Sequence, residues 1–294
     1  MNTQITDLPA PSPAADGTTA GSITTTGTTV LYLSHGGGPM PLLGDAAHRE
    51  MVECLQGMAR RLPRPEAIVV ISAHWEESFA TLTSAAQPEL LYDYYGFPSE
   101  SYDIRYPCPG HPQLAQQLHQ TLQDAGIEAR QTSERGLDHG VFVPLRIMYP
   151  QADIPCVQLS LLSNLDALAH VKLGQALRSA PLTNVLVIGS GFSFHNMRAF
   201  FAPESPDMRE LNESFEAWLL ETCGQPGLDA QERLRRLEHW EQAPGALFCH
   251  PRAEHLLPLH VCAGLSGGAC AETFELRIMD KKSSMYLWYT AGPD

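Results

Sequence analysis

Three apolar runs along the chain end in the same way. Leu31 to Leu33 stops at Ser34-His35-Gly36-Gly37-Gly38, Ala67 to Ile71 at Ser72-Ala73-His74-Trp75, and Val185 to Ile188 at Gly189-Ser190-Gly191, shortly before His195. Such runs, rich in β-branched residues, predict strands, and each delivers an imidazole at its C-terminal end. Between them the period changes. Met51, Val52, Leu55, Met58 and Leu62 recur at helical spacing until Pro63 and Pro65, and a helix bearing Leu114, Leu118 and Leu122 runs to Gly126, ahead of a short strand from Ile127.

The alternation continues with a helix over Val143 to Met148, a strand over Cys156 to Leu161 and a helix from Asp166 to Leu177. Residues 207–240 read as two amphipathic helices, the first with Met208, Leu211, Phe215, Trp218 and Leu219 on one stripe. A further helix is expected to open at His250-Pro251 and to be kinked by Pro258, and the strand-like runs Phe274 to Met279 and Met285 to Tyr289 close the chain. Strands alternating with helices predict a single α/β domain, a largely parallel central sheet with helices on both faces. Residues 1–28, rich in Thr, Ala, Pro, Ser and Gly, predict a disordered tail ahead of a single folded domain spanning 29–294.

Composition narrows the function classes. Apolar residues make up 44% of the 294, enough for a sizeable core, and no run of 18 apolar residues suggests a membrane span. A net charge of -14 with only 19 Lys and Arg argues against nucleic acid. Seven cysteines without a CxxC pair read as reduced thiols, and no leader peptide is evident, so a cytoplasmic monomer or homodimer is expected.

In open parallel sheets, ligands sit outside the carboxyl ends of the strands, where His35, His74 and His195 all lie. Each alone reads as a packed histidine, but three together beside glycine-rich loops predict a site. Three imidazoles with open positions suit a catalytic metal, and spacing does not separate zinc from ferrous iron. His48, His111, His119, His170, His239 and His260 fall on helix faces or loops and read as structural; His250 reads as a helix cap. An aromatic, proline-rich stretch from Tyr92 to Pro112 predicts an ordered loop that could wall a planar ring.

The segments SHGGGP, SAHW, YDYYGFP, YDIRYPCPGHP, GLDHG, VQLS, GSGFSFHN and AEHLLPLHV occur in an order that resembles the class III extradiol ring-cleavage dioxygenases. The likeness is strongest to their 4,5-DOPA (dihydroxyphenylalanine) dioxygenase branch and runs from residue 29 to the C-terminus. It implies a non-haem metal-dependent dioxygenase of aromatic catabolism, cleaving a DOPA-like or other catechol with O2 and holding one Fe(II) or Zn(II) per chain. It implies His35, His74 and His255 as metal ligands, with Glu254 as the fallback for His255. His139 and His195 become acid/base groups, His195 alternatively a fourth ligand. Independently of the resemblance, Asp138 is expected to fix the tautomer of His139 because it is its neighbour in the chain.

Two other classes compete. A zinc hydrolase would use the same three histidines to generate hydroxide; a metal-free binding protein would need a ligand to be missing, and none is. Arg105 and Arg135 are candidates for recognising a substrate carboxylate.

Overall fold

A computed structural model describes residues 27–290. The expected tail therefore lies, but for Gly27 and Thr28, outside the described residues. The apolar runs form the middle of an eight-stranded sheet built from β1 (Thr29–Ser34), β2 (Ala67–Glu77), β3 (Ala80–Thr83), β4 (Ala129–Thr132), β5 (Cys156–Leu162), β6 (Val185–Gly191), β7 (Glu272–Ile278) and β8 (Lys281–Tyr289), in the order β4-β3-β5-β2-β6-β1-β8-β7. The central four, β5, β2, β6 and β1, run parallel, whereas β8 joins β1 and β7 joins β8 antiparallel, and β3 meets β5 antiparallel at the other side. The sheet is thus largely parallel, as expected.

Side chains alternate across each strand, and both faces are covered. Val30, Tyr32, Val69, Ile71 and Val187 share one core with α2 (Pro112–Asp124), α4 (Ala167–Ala176), α6 (Pro206–Gly224), α7 (Ala230–Glu238), α8 (Ala246–Cys249) and α9 (Leu257–Ser266). Leu31, Leu33, Ile68, Val70 and Ile188 face the other, closed by α1 (Arg49–Arg61) and α3 (His139–Met148). Burial on both faces is why these strands read as uninterrupted apolar runs and not as alternating ones. One short helix, α5 (Met197–Phe201), follows β6.

Four details depart from expectation. No helix opens at His250: residues 251–256 form turns, and α9 begins at Leu257 with Pro258 in its first turn. Proline starts this helix and does not kink it, because the missing N–H would have had no partner there in any case. Second, β2 continues through His74 to Glu77. Third, α3 starts at His139 itself, four residues before the expected helix. Fourth, the last two strands form a hairpin whose two connecting residues, Met279 and Asp280, both have positive φ (52° and 63°). That is the geometry of a type I′ turn, which matches the twist of the strands it joins.

Candidate metal centre and its pocket

Five histidines meet at the C-terminal side of the sheet, just beyond the ends of β1 and β6 and beside the last residues of β2. His35 extends β1 by one residue, its N–H donating to the Gly191 carbonyl at 3.1 Å. The chain must then turn sharply: Gly36 has φ 84°, and a Cβ there would lie 2.7 Å from Pro41 Cγ and 2.8 Å from His48 Cδ2. Only glycine fits.

His74 is released by a break in the sheet. The β2–β5 ladder pairs Ile71 with Leu159 and resumes only at Glu76 with Leu161, while pairing with β6 ends at Ser72. Such irregularities re-aim side chains next to sites. His255 comes from the turn before α9, and its carbonyl accepts from Tyr32 Oη and from the Phe192 N–H, both at 3.0 Å. A Cβ on Gly191 would sit 2.1 Å from that carbonyl oxygen, so the glycine that ends β6 is what lets the His255 turn approach.

His35, His74 and His255 each offer one nitrogen within 4.8 Å of the others. His74 Nε2 faces His35 Nε2 at 3.2 Å. The partners of the other ring nitrogens decide the tautomers. His35 Nδ1 lies 3.0 Å from the Gly36 carbonyl, His255 Nδ1 lies 3.0 Å from Glu254 Oε1, and His74 Nδ1 lies 3.6 Å from Asp93 Oδ2. His35 and His255 thus aim Nδ1–H at an acceptor within hydrogen-bond distance, whereas Asp93 lies beyond that distance from His74, whose Nε2 meets the His35 Nε2 directly. Three ring nitrogens converging within 4.8 Å of one another form a donor set that a bound cation would satisfy. Burial, reinforced by the neighbouring imidazoles, also pushes the pKa of all three well below the ordinary histidine range, so they are held neutral, the form that ligates.

His139 and His195 flank this trio. The first residue of α3, His139 donates to Asp93 Oδ1 both through its backbone N–H at 3.0 Å and through Nδ1 at 2.8 Å. His195 is anchored by its N–H to the Cys249 carbonyl at 2.9 Å, stacks on His255 at 3.4 Å between ring centres, and faces Glu254 Oε1 through Nδ1 at 3.3 Å. A symmetry of roles emerges. Asp93 stands behind His74 and His139, and Glu254 behind His255 and His195. Burial works against the charge of each carboxylate, but hydrogen bonds from His139 and from His195 respectively outweigh it and hold both pKa values below the usual range.

Asp138 does not fix His139. Wholly buried, it accepts from Ser72 Oγ at 2.7 Å, from Arg135 Nη2 at 3.2 Å and from Gln158 Nε2, while the His139 ring turns to Asp93. Consecutive side chains at a helix start diverge, and a residue from a remote loop fills the gap. The expected carboxylate-binding arginines are also occupied elsewhere. Arg135 holds Asp138 and the His74 carbonyl, and Arg105 donates to Tyr92 Oη and to the carbonyls of Tyr102 and Ile104. Neither lines the pocket.

All five histidines line a cavity of about 590 Å³, together with the Gly36 to Gly38 loop and with Tyr94 and Phe97 from the aromatic stretch. His48, read from sequence as structural, is in this wall too. Its Nδ1 donates to Asp45 Oδ2 at 2.6 Å and its Nε2 accepts from the Gly37 N–H at 2.9 Å, pinning the glycine loop. Asp93 and the Asp45/His48 pair are the members that sequence reading missed; the i, i+3 spacing of Asp45 and His48 was the one available signal. His170 and His260 are structural as expected, bonded to backbone groups, and His250 donates to the Ser193 carbonyl.

Known proteins resemble this chain over most of its length. Residues 23–286 match the family described as the catalytic LigB subunit of aromatic ring-opening dioxygenase. A dioxygenase, tasH, of Hapsidospora irregularis is 38% identical over 80% of this chain and 77% of its own length. The 4,5-DOPA dioxygenase extradiol of Beta vulgaris is likewise 38% identical, over 81% of this chain and 86% of its own. The crystal structure of an uncharacterized protein from Escherichia coli K12 superposes with a TM-score of 0.69 at 29% identity, covering 88% of this chain and 99% of that one.

Proposed function

The chain belongs to the LigB family of aromatic ring-opening dioxygenases and is an extradiol dioxygenase; from that premise we propose that it opens the ring of a substituted catechol, using one Fe(II) held by His35, His74 and His255. The observation that carries the ligand set is the convergence of three neutral imidazoles, two of which, His35 and His255, have the outward nitrogen committed to an acceptor. When bound, Fe(II) supplies a redox-active centre and an open coordination face for the catechol oxygens and O2, chemistry that redox-inert zinc does not offer.

The chain's own groups supply the rest. With Nδ1 of His139 committed to Asp93 and Nδ1 of His195 facing Glu254, each presents Nε2 as a lone-pair nitrogen. One takes the proton that a catechol hydroxyl gives up on binding, and the other returns a proton as the ring opens, work suited to imidazole near neutral pH. Tyr94 and Phe97, with ring centres 5.5 Å apart, offer a wall for a planar ring. Glu254 serves as the group that orients His255 and His195, and not as the third ligand.

The relatives lend nothing to the zinc hydrolase. The described residues contain no helix long and apolar enough to cross a membrane; the reading is of a cytoplasmic enzyme, monomer or homodimer, acting on a small catechol and O2, and the named relatives support the substrate class. Anaerobic reconstitution with Fe(II) or with Zn(II), followed by O2 uptake over a panel of catechols, tests the proposal. Uptake with a yellow semialdehyde product from the iron form alone is expected; activity of the zinc form alone would overturn the choice of metal.

A further inference from the structure

Away from the histidines the cavity wall is mostly apolar. Met40, Phe97, Met197, Phe200, Phe201 and Met279 all contribute to it. Two of them bracket the glycine loop beside His35: a Cβ on Gly38 would lie 2.9 Å from Phe97 Cζ, and one on Gly37 would lie 3.2 Å from Met279 Sδ. Met197 and Phe201, on α5, are 53% and 78% exposed, an unusual state for large apolar side chains outside a binding surface. The cavity is larger than a bare catechol ring requires, so a ring substituent would meet this wall.

The charge on the wall has one sign. Asp45 and Asp280 line the cavity, and among the described residues no lysine or arginine does. Cations close by in the chain are engaged elsewhere. Arg105 and Arg135 are tied up as described above, and Lys281, next to Asp280, pairs with Glu204 at 3.1 Å. Arg198 and Arg252 face a neighbouring groove that shares His195 and Met197 with the cavity, and Arg252 is held there by Glu76 at 2.6 Å.

We infer that the pocket selects catechols whose ring substituent is apolar and uncharged over those whose substituent ends in a carboxylate. The inference rests on the dioxygenase reading and adds the substituent's chemistry to it. A carboxylate brought among thioethers and phenyl rings would lose its hydration with no lysine or arginine on that wall to replace it, and would face Asp280 and Asp45, the latter paired with His48. An alkyl or ester chain would bury apolar area against the same wall.

The test compares 3-(3,4-dihydroxyphenyl)propionate with its methyl ester, matched in ring and chain and differing in charge. Calorimetric titration of the zinc-loaded protein, which binds without turnover, is expected to show the ester held ~10-fold or more tighter than the acid. The iron-loaded enzyme should rank their kcat/KM the same way. Met279→Lys should shift the ratio towards the acid by ~10-fold, while Met279→Leu should leave it in place. Acid bound as tightly as ester by the natural protein would overturn the inference, as would a ratio unmoved by the lysine. So would a preference for the acid that disappears in Arg198→Ala, which would put the carboxylate in the neighbouring groove. Ester preferred in binding but no O2 uptake with either compound would leave the specificity standing and overturn the dioxygenase reading, so the two failures are distinguishable.

Discussion

At the scale of single residues, the site separates into nitrogens that face inward and carboxylates that stand behind them. Removing an inward nitrogen leaves two donors, which hold a divalent ion poorly, so His35→Ala, His74→Ala and His255→Ala are each expected to lose metal through desalting. Asp93→Asn and Glu254→Gln keep all three donors and lose only the charge that fixes their orientation; a drop of ~10- to 100-fold in metal affinity is expected. Metal analysis and competition titration separate the two classes, and full metal in His255→Ala with none in Glu254→Ala would reverse the assignment of the third ligand. His139→Phe or His195→Phe should retain metal yet slow turnover by ~10²- to 10⁴-fold, the usual share of a proton-transfer group; loss of metal from the His195 variant would make it a ligand. Much of this was legible in the chain because strand ends mark themselves, as at His35 and His74. His255 was reached through resemblance alone, since the turn that carries it has no apolar run leading in. Asp93 was illegible because its partner His139 lies 46 positions away, and pairing across that distance is set by how the aromatic loop folds back.

At the scale of elements, the contact of α6 with β8 holds a group that no ligand uses. Glu216 on α6 is wholly buried, accepts from Ser284 Oγ at 2.5 Å, and has a second oxygen with no partner. Burial pushes its carboxyl up to about 7. A folded-state pKa above the unfolded value means the folded chain binds the extra proton. The stability this contributes is fully present below about pH 4.5 and is lost as pH rises through about 7, a difference of roughly 3 kcal/mol by linkage. Glu216→Gln should therefore have a higher midpoint of denaturant unfolding than the natural chain at pH 8 and a similar one at pH 5; a difference independent of pH would exclude the linkage. The amphipathic stripe predicted α6 correctly, but one member misled: Leu211 is 39% exposed while Phe215 and Leu219 are buried. Both strands of the final hairpin were expected, but β3 and the turn joining that pair escaped a sequence reading for a different reason. Ala80–Thr83 spans four residues, too few for a period to register, and a Met-Asp turn with both φ positive lacks the glycine or asparagine that signals a type I′ hairpin.

At the scale of the molecule, the two cores on either side of the sheet meet the site from opposite faces, and the chain brings its candidate ligands from positions as far apart as 35 and 255. A cation bound there would tie the first strand to the turn before α9 and to the β2 irregularity at once. Because unfolding disperses the three donors, a metal held by them would bind the folded chain alone and stabilise it by mass action, by about 4 kcal/mol at free metal one thousand times its Kd. For a domain of this size each kcal/mol moves the midpoint by roughly 2–4 °C, so an anaerobic Fe(II) or Zn(II) form is expected to melt about 8–15 °C above the chelator-treated form. His255→Ala should melt at one temperature whether or not metal is supplied, while His139→Phe should keep the metal-dependent shift. Identical melting of the loaded and stripped natural protein would mean that the histidines do not bind as a set. A shift retained in His255→Ala would place the ion on His74, Asp93 and His139, the other group of donors close enough together that excludes His255.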